Sequence, residues 1–246
     1  MLPDPVTGAA VPALDGAAIL ERVPGLDAIA ELEPIDWGLV PASHLRFSQI
    51  LGVGSIIADA AEREDIDGVV VVQGTDVLEE TAYAWDLLHA IDTPVVVVGA
   101  MRNAGDHDYD GPRNMTDAVR VAGDPRMRGQ GVTVVMDGLV LPADDATKTN
   151  SQAIGTFQAL NAGPLGRVRD GEVILERPRR DRRMLVDWPQ SAAEPVALLT
   201  AVVSTDGNLL RAALEQGSRA VVVEATGSGN TDPDLLAAAV DAMAAA

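Results

Sequence analysis

Short runs of β-branched and aliphatic residues recur along this chain, most of them separated by enough sequence for one helix. Residues 68–72, 94–98, 132–136, 196–203 and 220–223 are such runs, and two of them hold valine at four successive positions, Val69 to Val72 and Val95 to Val98. A strand with one wet face alternates apolar and polar residues. A continuous apolar run belongs to a strand covered on both faces, as in a parallel sheet. Helix-like segments fill the gaps at residues 16–23, 48–63, 78–91, 111–122, 208–215 and 233–245. The last opens Thr231-Asp232-Pro233-Asp234, a capping residue followed by an early proline. Strands alternating with helices imply an α/β fold with a doubly wound, mostly parallel sheet. Residues 134–171 carry shorter β-like runs with turn residues, a pattern for hairpins.

The length of 246 residues suits one large domain or two modest ones. Aromatic residues make up only 3% of the chain, so its core must be built from Val, Leu, Ile and Ala. Composition changes at residues 176–194, where Arg177, Arg179, Arg180, Arg182 and Arg183 crowd together ahead of Pro189. Such a run is either a small anion or nucleic-acid patch or a solvated linker, and the acidic surroundings favour the linker. The expected organisation is a larger N-terminal domain at 1–177, an Arg/Pro-rich linker at 178–194 and a small α/β domain at 195–246. Two strands and two helices are few for an α/β domain that stands alone.

The formal charge is −19, from 37 acids against 18 bases, which argues against nucleic acid or an anionic membrane as a partner of the general surface. With no cysteine, disulfides, thiolate catalysis and Cys-ligated metal are excluded. His44, His89 and His107 lie far apart, without metal-ligand spacing. No apolar run approaches the about 18 residues of a membrane span, and no basic region followed by an apolar one opens the chain. These features describe a soluble, cytoplasmic protein.

Of the 18 basic residues 17 are arginine, and the one lysine, Lys148, sits in Ala146-Thr147-Lys148-Thr149-Asn150. A position that keeps lysine in such a composition needs what arginine cannot give, an amine able to lose its proton when buried. A second unusual run, Gln73-Gly74-Thr75-Asp76, directly follows the first valine block. Hydroxyl, carboxylate and lysine are the parts of an activated nucleophile site. Thr75 and Asp76 fall between a strand and a helix, where open α/β sheets bind ligands. Either residue could equally cap the helix, with Glu79 and Glu80 near its dipole. The loop after Gly99-Ala100-Met101-Arg102, through Asp110-Gly111-Pro112-Arg113-Asn114, is either a close backbone approach to a ligand or an ordinary turn.

Five ordered motifs resemble the bacterial-type L-asparaginase and glutaminase-asparaginase family. They are Gln73-Gly74-Thr75-Asp76-Val77-Leu78-Glu79-Glu80-Thr81-Ala82, Val98-Gly99-Ala100-Met101-Arg102, Asp110-Gly111-Pro112-Arg113-Asn114, Ala146-Thr147-Lys148-Thr149-Asn150 and Asn161-Ala162-Gly163-Pro164-Leu165-Gly166. The resemblance implies hydrolysis of the side-chain amide of L-asparagine, often L-glutamine too, giving the acid and ammonia with no metal or cofactor. It makes Thr75 the second catalytic threonine, with a backbone that helps form the oxyanion hole. It makes Lys148 the base that takes or relays the threonine proton, Asp76 the group that holds the substrate α-amino group, and the Ala100 carbonyl the acceptor of the amide nitrogen. It further implies a homo-oligomer, dimer or tetramer, in which Asn230 and Asp232 reach a neighbouring subunit's site.

The chain also departs from the family pattern. The family begins with a strand ending Gly-Gly-Thr-Ile-Ala whose threonine is taken as the primary nucleophile, whereas Met1 to Gly8 resembles the loop that follows it. Thr7 stands in a different context and is not assigned as nucleophile. The turn Glu224 to Thr231 resembles the glycine-rich turn of the family's second domain, which runs on further than Ala246. Pro41-Ala42-Ser43-His44-Leu45 puts serine one residue later than the family's carboxylate-binding serine, so Ser43 is a candidate in shifted register. Asp144-Asp145 stands where the family commonly has arginine before aspartate. The alternative to an enzyme is a degenerate, non-catalytic relative that binds an amino acid or a partner. The expectation is that the 246-residue chain releases little ammonia from L-asparagine. Removing members of a catalytic unit typically costs several orders of magnitude. Equal turnover by this chain and by a version extended upstream through a Gly-Gly-Thr strand would refute the assignment of the nucleophile.

Overall fold

The computed structural model describes residues 2–3, 10–179, 182–185, 189 and 191–245, so Thr7 and Arg180 lie outside the described residues. The chain divides into two compact units, Met1–Trp188 and Pro189–Ala246.

The first unit opens with a short antiparallel pair, β1 (Leu2–Pro3) and β2 (Ala10–Val11). Helix α1 (Gly16–Leu20) starts where the Asp15 carboxylate accepts the Ala18 N–H at 2.8 Å, satisfying one of the free amides of a first turn. Then follow α2 (Phe47–Ala61), β3 (Val69–Val72), α3 (Leu78–Leu88), β4 (Val95–Val98), α4 (Gly111–Ala122) and β5 (Val132–Met136). Strands β3, β4 and β5 are parallel neighbours, with Val69 beside Val95 and Val95 beside Val132. Helix α2 packs on β3 and α3, α3 on β4 and β5, and α4 on all three strands. The four β4 valines are at most 2% exposed, so this strand is covered on both faces, as its unbroken apolar run requires. Trp85 of α3 is buried against α2 and donates its indole N–H to the Ile50 carbonyl at 2.9 Å.

Hairpins extend this parallel core, as expected for residues 134–171. Strand β5 turns back into β6 (Leu139–Pro142) through Asp137-Gly138, both in the left-handed region at φ 48° and 75°. Two positive-φ residues make the tight hairpin turn whose twist matches the strands it joins, and Asp-Gly is suited to it. The same device, Asp170-Gly171, joins β9 (Gly166–Arg169) to β10 (Glu172–Leu175), a strand the sequence reading did not include. The sheet order is β10-β9-β6-β5-β4-β3. A separate antiparallel pair, β7 (Ala146–Lys148) and β8 (Phe157–Ala159), sets Lys148 opposite Phe157.

In the second unit β11 (Val196–Thr200) and β12 (Ala220–Glu224) pair in parallel, with α5 (Asn208–Glu215) and α6 (Pro233–Ala245). Its core is aliphatic: Leu199, Ala201, Leu210, Leu235 and Ala238. The register partners Leu198 and Val222, on the opposite face of the ribbon, are 71% and 54% exposed.

The solvated reading of the arginine run does not hold for Arg179 and Arg182. Arg179 is 3% exposed and clasps the fully buried Asp86 of α3 through two hydrogen bonds of 2.8 and 2.7 Å. It also reaches Asp144 at 2.8 Å. Arg182 adds 3.0 Å to the Asp86 carboxylate and 2.9 Å to its carbonyl, and it donates to the His89 carbonyl. Burial pulls the Arg179 pKa down, but hydrogen bonds to Asp86 and Asp144 more than offset it and hold the group above its ordinary value. The Leu185 N–H then bonds the Leu87 carbonyl at 2.7 Å, so this segment lies along the C-terminal end of α3. Removing one partner of a buried pair leaves the other charge uncompensated, so Asp86→Ala is expected to destabilise the first unit by about 3–5 kcal/mol. Urea unfolding followed by tryptophan fluorescence checks this, and a loss below about 1 kcal/mol would mean the pair contributes no more than a surface bridge.

Candidate active site

The site is built where β3 and β4 end. The Gln73 N–H bonds the Val98 carbonyl at 3.0 Å, carrying the ladder one residue past β3, and the chain turns through Gly74, Thr75 and Asp76 into α3. The cap residue of α3 is Val77, with no side-chain hydrogen bond to the first turn, so neither Thr75 nor Asp76 is a capping group. The Thr75 hydroxyl instead accepts a hydrogen bond of 2.9 Å from the Lys148 ammonium, across 73 residues of sequence. Lys148 ends β7, and its side chain is 16% exposed. The Asp76 carboxylate is 3.7 Å from the same ammonium and 64% exposed, which makes the pair weak as a stabilising bridge. Glu79, in the first turn of α3, accepts the backbone N–H of Lys148. One helix start thus holds both the backbone and the amine of the lysine.

The end of β4 approaches this turn so closely that residue 99 has no room for a side chain. A Cβ there would fall 2.8 Å from the Gln73 carbonyl oxygen and 2.9 Å from Cγ2 of Thr75. Ala100 follows, half-buried, at the carboxyl end of β4. The loop beyond folds back on Asp110, whose carboxylate accepts the backbone N–H groups of Met101 and Arg102 at 3.0 and 2.9 Å. The buried Asn114 side chain donates to the Gly99 carbonyl at 3.1 Å and to Asp110 at 2.9 Å, and accepts the Asp137 N–H at 3.1 Å. Arg102 joins this loop to the next, bonding Asp108 and the Gln152 carbonyl at 2.8 Å each.

The strand that carries Lys148 is anchored at its base by Asp145, one residue before β7. Its carboxylate accepts the N–H groups of Asn161 and Ala162 and the Asn161 amide. Burial raises the Asp145 pKa, yet these donors outweigh it and hold the carboxyl below its usual range. Asp144, beside it, supplies the second carboxylate for Arg179 at 2.8 Å.

The structure therefore gathers Thr75, Asp76 and Lys148, with Ala100 on the adjoining strand end. Ser43 sits in a single 3-10 turn, Ala42–His44; Ala42 packs under Gly74, where an added Cβ would lie 3.1 Å from its own, while Ser43 is exposed. Asn230 and Asp232 belong to the second unit. There the Asn230 N–H bonds the Thr226 carbonyl at 2.8 Å, and the Asp232 carboxylate accepts the Asp234 N–H at 2.8 Å at the start of α6. Among the described residues no three His, Cys, Asp or Glu side chains converge as ligands for a metal ion, and no helix is long and apolar enough to cross a membrane.

Comparison with known proteins matches residues 1–180 to the family model described as asparaginase, N-terminal. The chain belongs to the asparaginase family. It is 36% identical to the probable periplasmic L-asparaginase of Haemophilus influenzae over 87% of this chain and 62% of that protein. It is 32% identical to the glutaminase-asparaginase of Pseudomonas aeruginosa over 86% of this chain and 59% of that one. The crystal structure of the probable cytoplasmic L-asparaginase of Campylobacter jejuni superposes with a TM-score of 0.90 at 27% identity, covering 96% of this chain and 76% of that one. The chain thus spans about three-fifths of the length of these curated relatives. Within the asparaginase match lie Ser43, Thr75, Asp76, Ala100 and Lys148; Asn230 and Asp232 lie beyond it.

In the sequence Asp110 and Asn114 had no individual role, their loop being open between a close backbone approach to a ligand and an ordinary turn, and Glu79 had none beyond the helix dipole. A carboxylate at a helix start carries no local mark of bonding away from its helix. The tight approach at Gly99 yields a prediction. Gly99→Ala is expected to displace the Thr75 turn and cost about 1–3 kcal/mol, as overpacking does. Equilibrium unfolding in urea checks it, and unchanged stability would show that the two strand ends have room to spare.

Proposed function

We propose that this chain carries the hydrolytic site of an asparagine-type amidohydrolase, converting L-asparagine to L-aspartate and ammonia, with L-glutamine the other candidate substrate. The observation that carries the reading is the contact of the chain's one lysine with the Thr75 hydroxyl at 2.9 Å, in a half-buried position at the carboxyl ends of parallel strands. The relatives are named L-asparaginase or glutaminase-asparaginase, in keeping with this chemistry.

In this reading Asp76 binds the substrate α-ammonium through the side that faces solvent. The amide side chain then lies between Thr75 and the end of β4, where the Ala100 carbonyl accepts one of its N–H groups. The oxygen of a nucleophilic hydroxyl bonds to the amide carbon, and its proton passes through the Thr75–Lys148 pair. The carbonyl electrons move to oxygen, where backbone N–H groups of the Thr75 turn stabilise the charge. When the C–N bond breaks, the proton returns from the same pair to the leaving nitrogen and ammonia departs. A water then adds to the ester left on that hydroxyl, the ester C–O bond breaks, the hydroxyl regains its proton and the carboxylic acid leaves. Asn230 and Asp232 enter only as residues supplied by a neighbouring copy in a dimer or tetramer, and Ser43 as a contact for the substrate carboxylate. A cytoplasmic location belongs to the same proposal; one relative's name says periplasmic and another's cytoplasmic.

Arginine keeps the charge of lysine but does not give up its proton. In a version extended upstream through a Gly-Gly-Thr strand, Lys148→Arg and Lys148→Ala are therefore expected to lower turnover alike, by about 10²–10⁴-fold. Ammonia release from L-asparagine measures it. Near-normal turnover in Lys148→Arg would reduce the lysine to an electrostatic group, and inactivity of both the 246-residue chain and the extended version, with retained amino-acid binding, would favour the non-catalytic alternative.

A further inference from the structure

The peptide groups on both sides of Ala100 are held by one side-chain pair. Asp110 is the residue that precedes α4, yet its carboxylate accepts no backbone N–H of the first turn of that helix. It turns back and takes the N–H groups of Met101 and Arg102 at 3.0 and 2.9 Å, one on each oxygen. The N–H of Met101 and the carbonyl of Ala100 belong to one trans peptide plane, in which they point in opposite directions. Holding that N–H on Asp110 therefore aims the Ala100 carbonyl away from Asp110. The preceding plane is held as well, because Asn114 donates to the Gly99 carbonyl at 3.1 Å. Asn114 is 1% exposed and braced from both ends, by Asp110 at 2.9 Å and by the Asp137 N–H at 3.1 Å. Among the described residues none donates a hydrogen bond to the Ala100 carbonyl.

We propose that Asp110 and Asn114 are positioning residues that fix the direction of the Ala100 carbonyl, and that this fixed acceptor makes the site prefer a side-chain amide over a side-chain carboxylate. The proposal rests on the amidohydrolase reading and adds to it the device that separates substrate from product. An amide nitrogen carries N–H groups and donates to a carbonyl. A carboxylate has no hydrogen to donate at neutral pH, so two oxygens would face one another. If the Ala100–Met101 plane were free to turn over, it would offer an N–H in place of the carbonyl and welcome the acid. Asp76 and the rest of the α-amino-acid site treat the two ligands alike, so the difference between them reports on the end of β4 alone.

The test is calorimetric binding of L-asparagine and L-aspartate at neutral pH to the wild-type chain, Asp110→Ala and Asp110→Asn. Wild type is expected to bind L-asparagine more tightly. Asp110→Ala is expected to cut that preference about tenfold or more, since a site built around a hydrogen bond discriminates strongly against the analogue that lacks it. Asp110→Asn, which keeps one acceptor oxygen and similar bulk, is expected to lie between them, and it carries the test where Asp110→Ala does not fold. A residue that is merely structural would weaken both ligands in proportion, and that result, or an unchanged preference in folded variants, overturns the proposal. Binding of neither ligand by wild type overturns the amidohydrolase reading and the proposal with it.

Discussion

The carboxylate of Asp86 has no access to water, and the placement of α3 depends on how its charge is met. It accepts the Val132 N–H at 2.9 Å where β5 begins, and it receives both guanidinium groups, of Arg179 and Arg182. A buried ion is tolerated only where partners replace its hydration, so the helix can sit in one place only, against this strand and this segment. Such pairs add little net stability compared with apolar packing, but they penalise any other arrangement. The far end of the same helix delivers the Thr75 turn and Glu79. The position of the Lys148 amine is therefore set in part by charges at the opposite end of α3.

Lys148 needs this support because its neighbours pull in different directions. Glu79 holds its backbone, Thr75 and Asp76 meet its amine, and Asp145 anchors the residue before its strand. Most contacts in the site belong to backbone groups or to side chains that are themselves held, as a site needs if its geometry is to be paid for at folding rather than at binding. Asp76 is the exception. It is mostly exposed, which suits the ammonium-binding role proposed for it.

Much of the parallel core could be read from the chain because the valine blocks of β3 and β4 permit little else. The Asp-Gly turns fixed the hairpins by local backbone chemistry, while β10 escaped notice because its Glu172 and the polar β9 residues look like surface. Lys148 stood out by rarity and Thr75 by its place after a strand. The capping reading of Thr75 and Asp76 could be decided only in three dimensions, where Val77 proved to be the cap residue. The arginine run was read as a solvated linker because the sequence around it is acidic. Nothing near it in sequence shows that Asp86, 93 residues upstream of Arg179, is cut off from water and needs two cations. Asp144 makes the same point: it breaks the family's usual pattern, and in space it is a partner of that buried arginine.

The aliphatic core of the second unit has a consequence for observing this protein at all. The three tryptophans, two tyrosines and two phenylalanines all precede Pro189 in the sequence, so the ribbon of β11 and β12 and its two helices contain no aromatic ring. Intrinsic fluorescence and near-ultraviolet circular dichroism are blind to its own packing. The second unit could melt, swap or stay folded while those signals report only the first. Its state is written in amide and methyl groups, and following it takes far-ultraviolet dichroism, hydrogen exchange or methyl resonances.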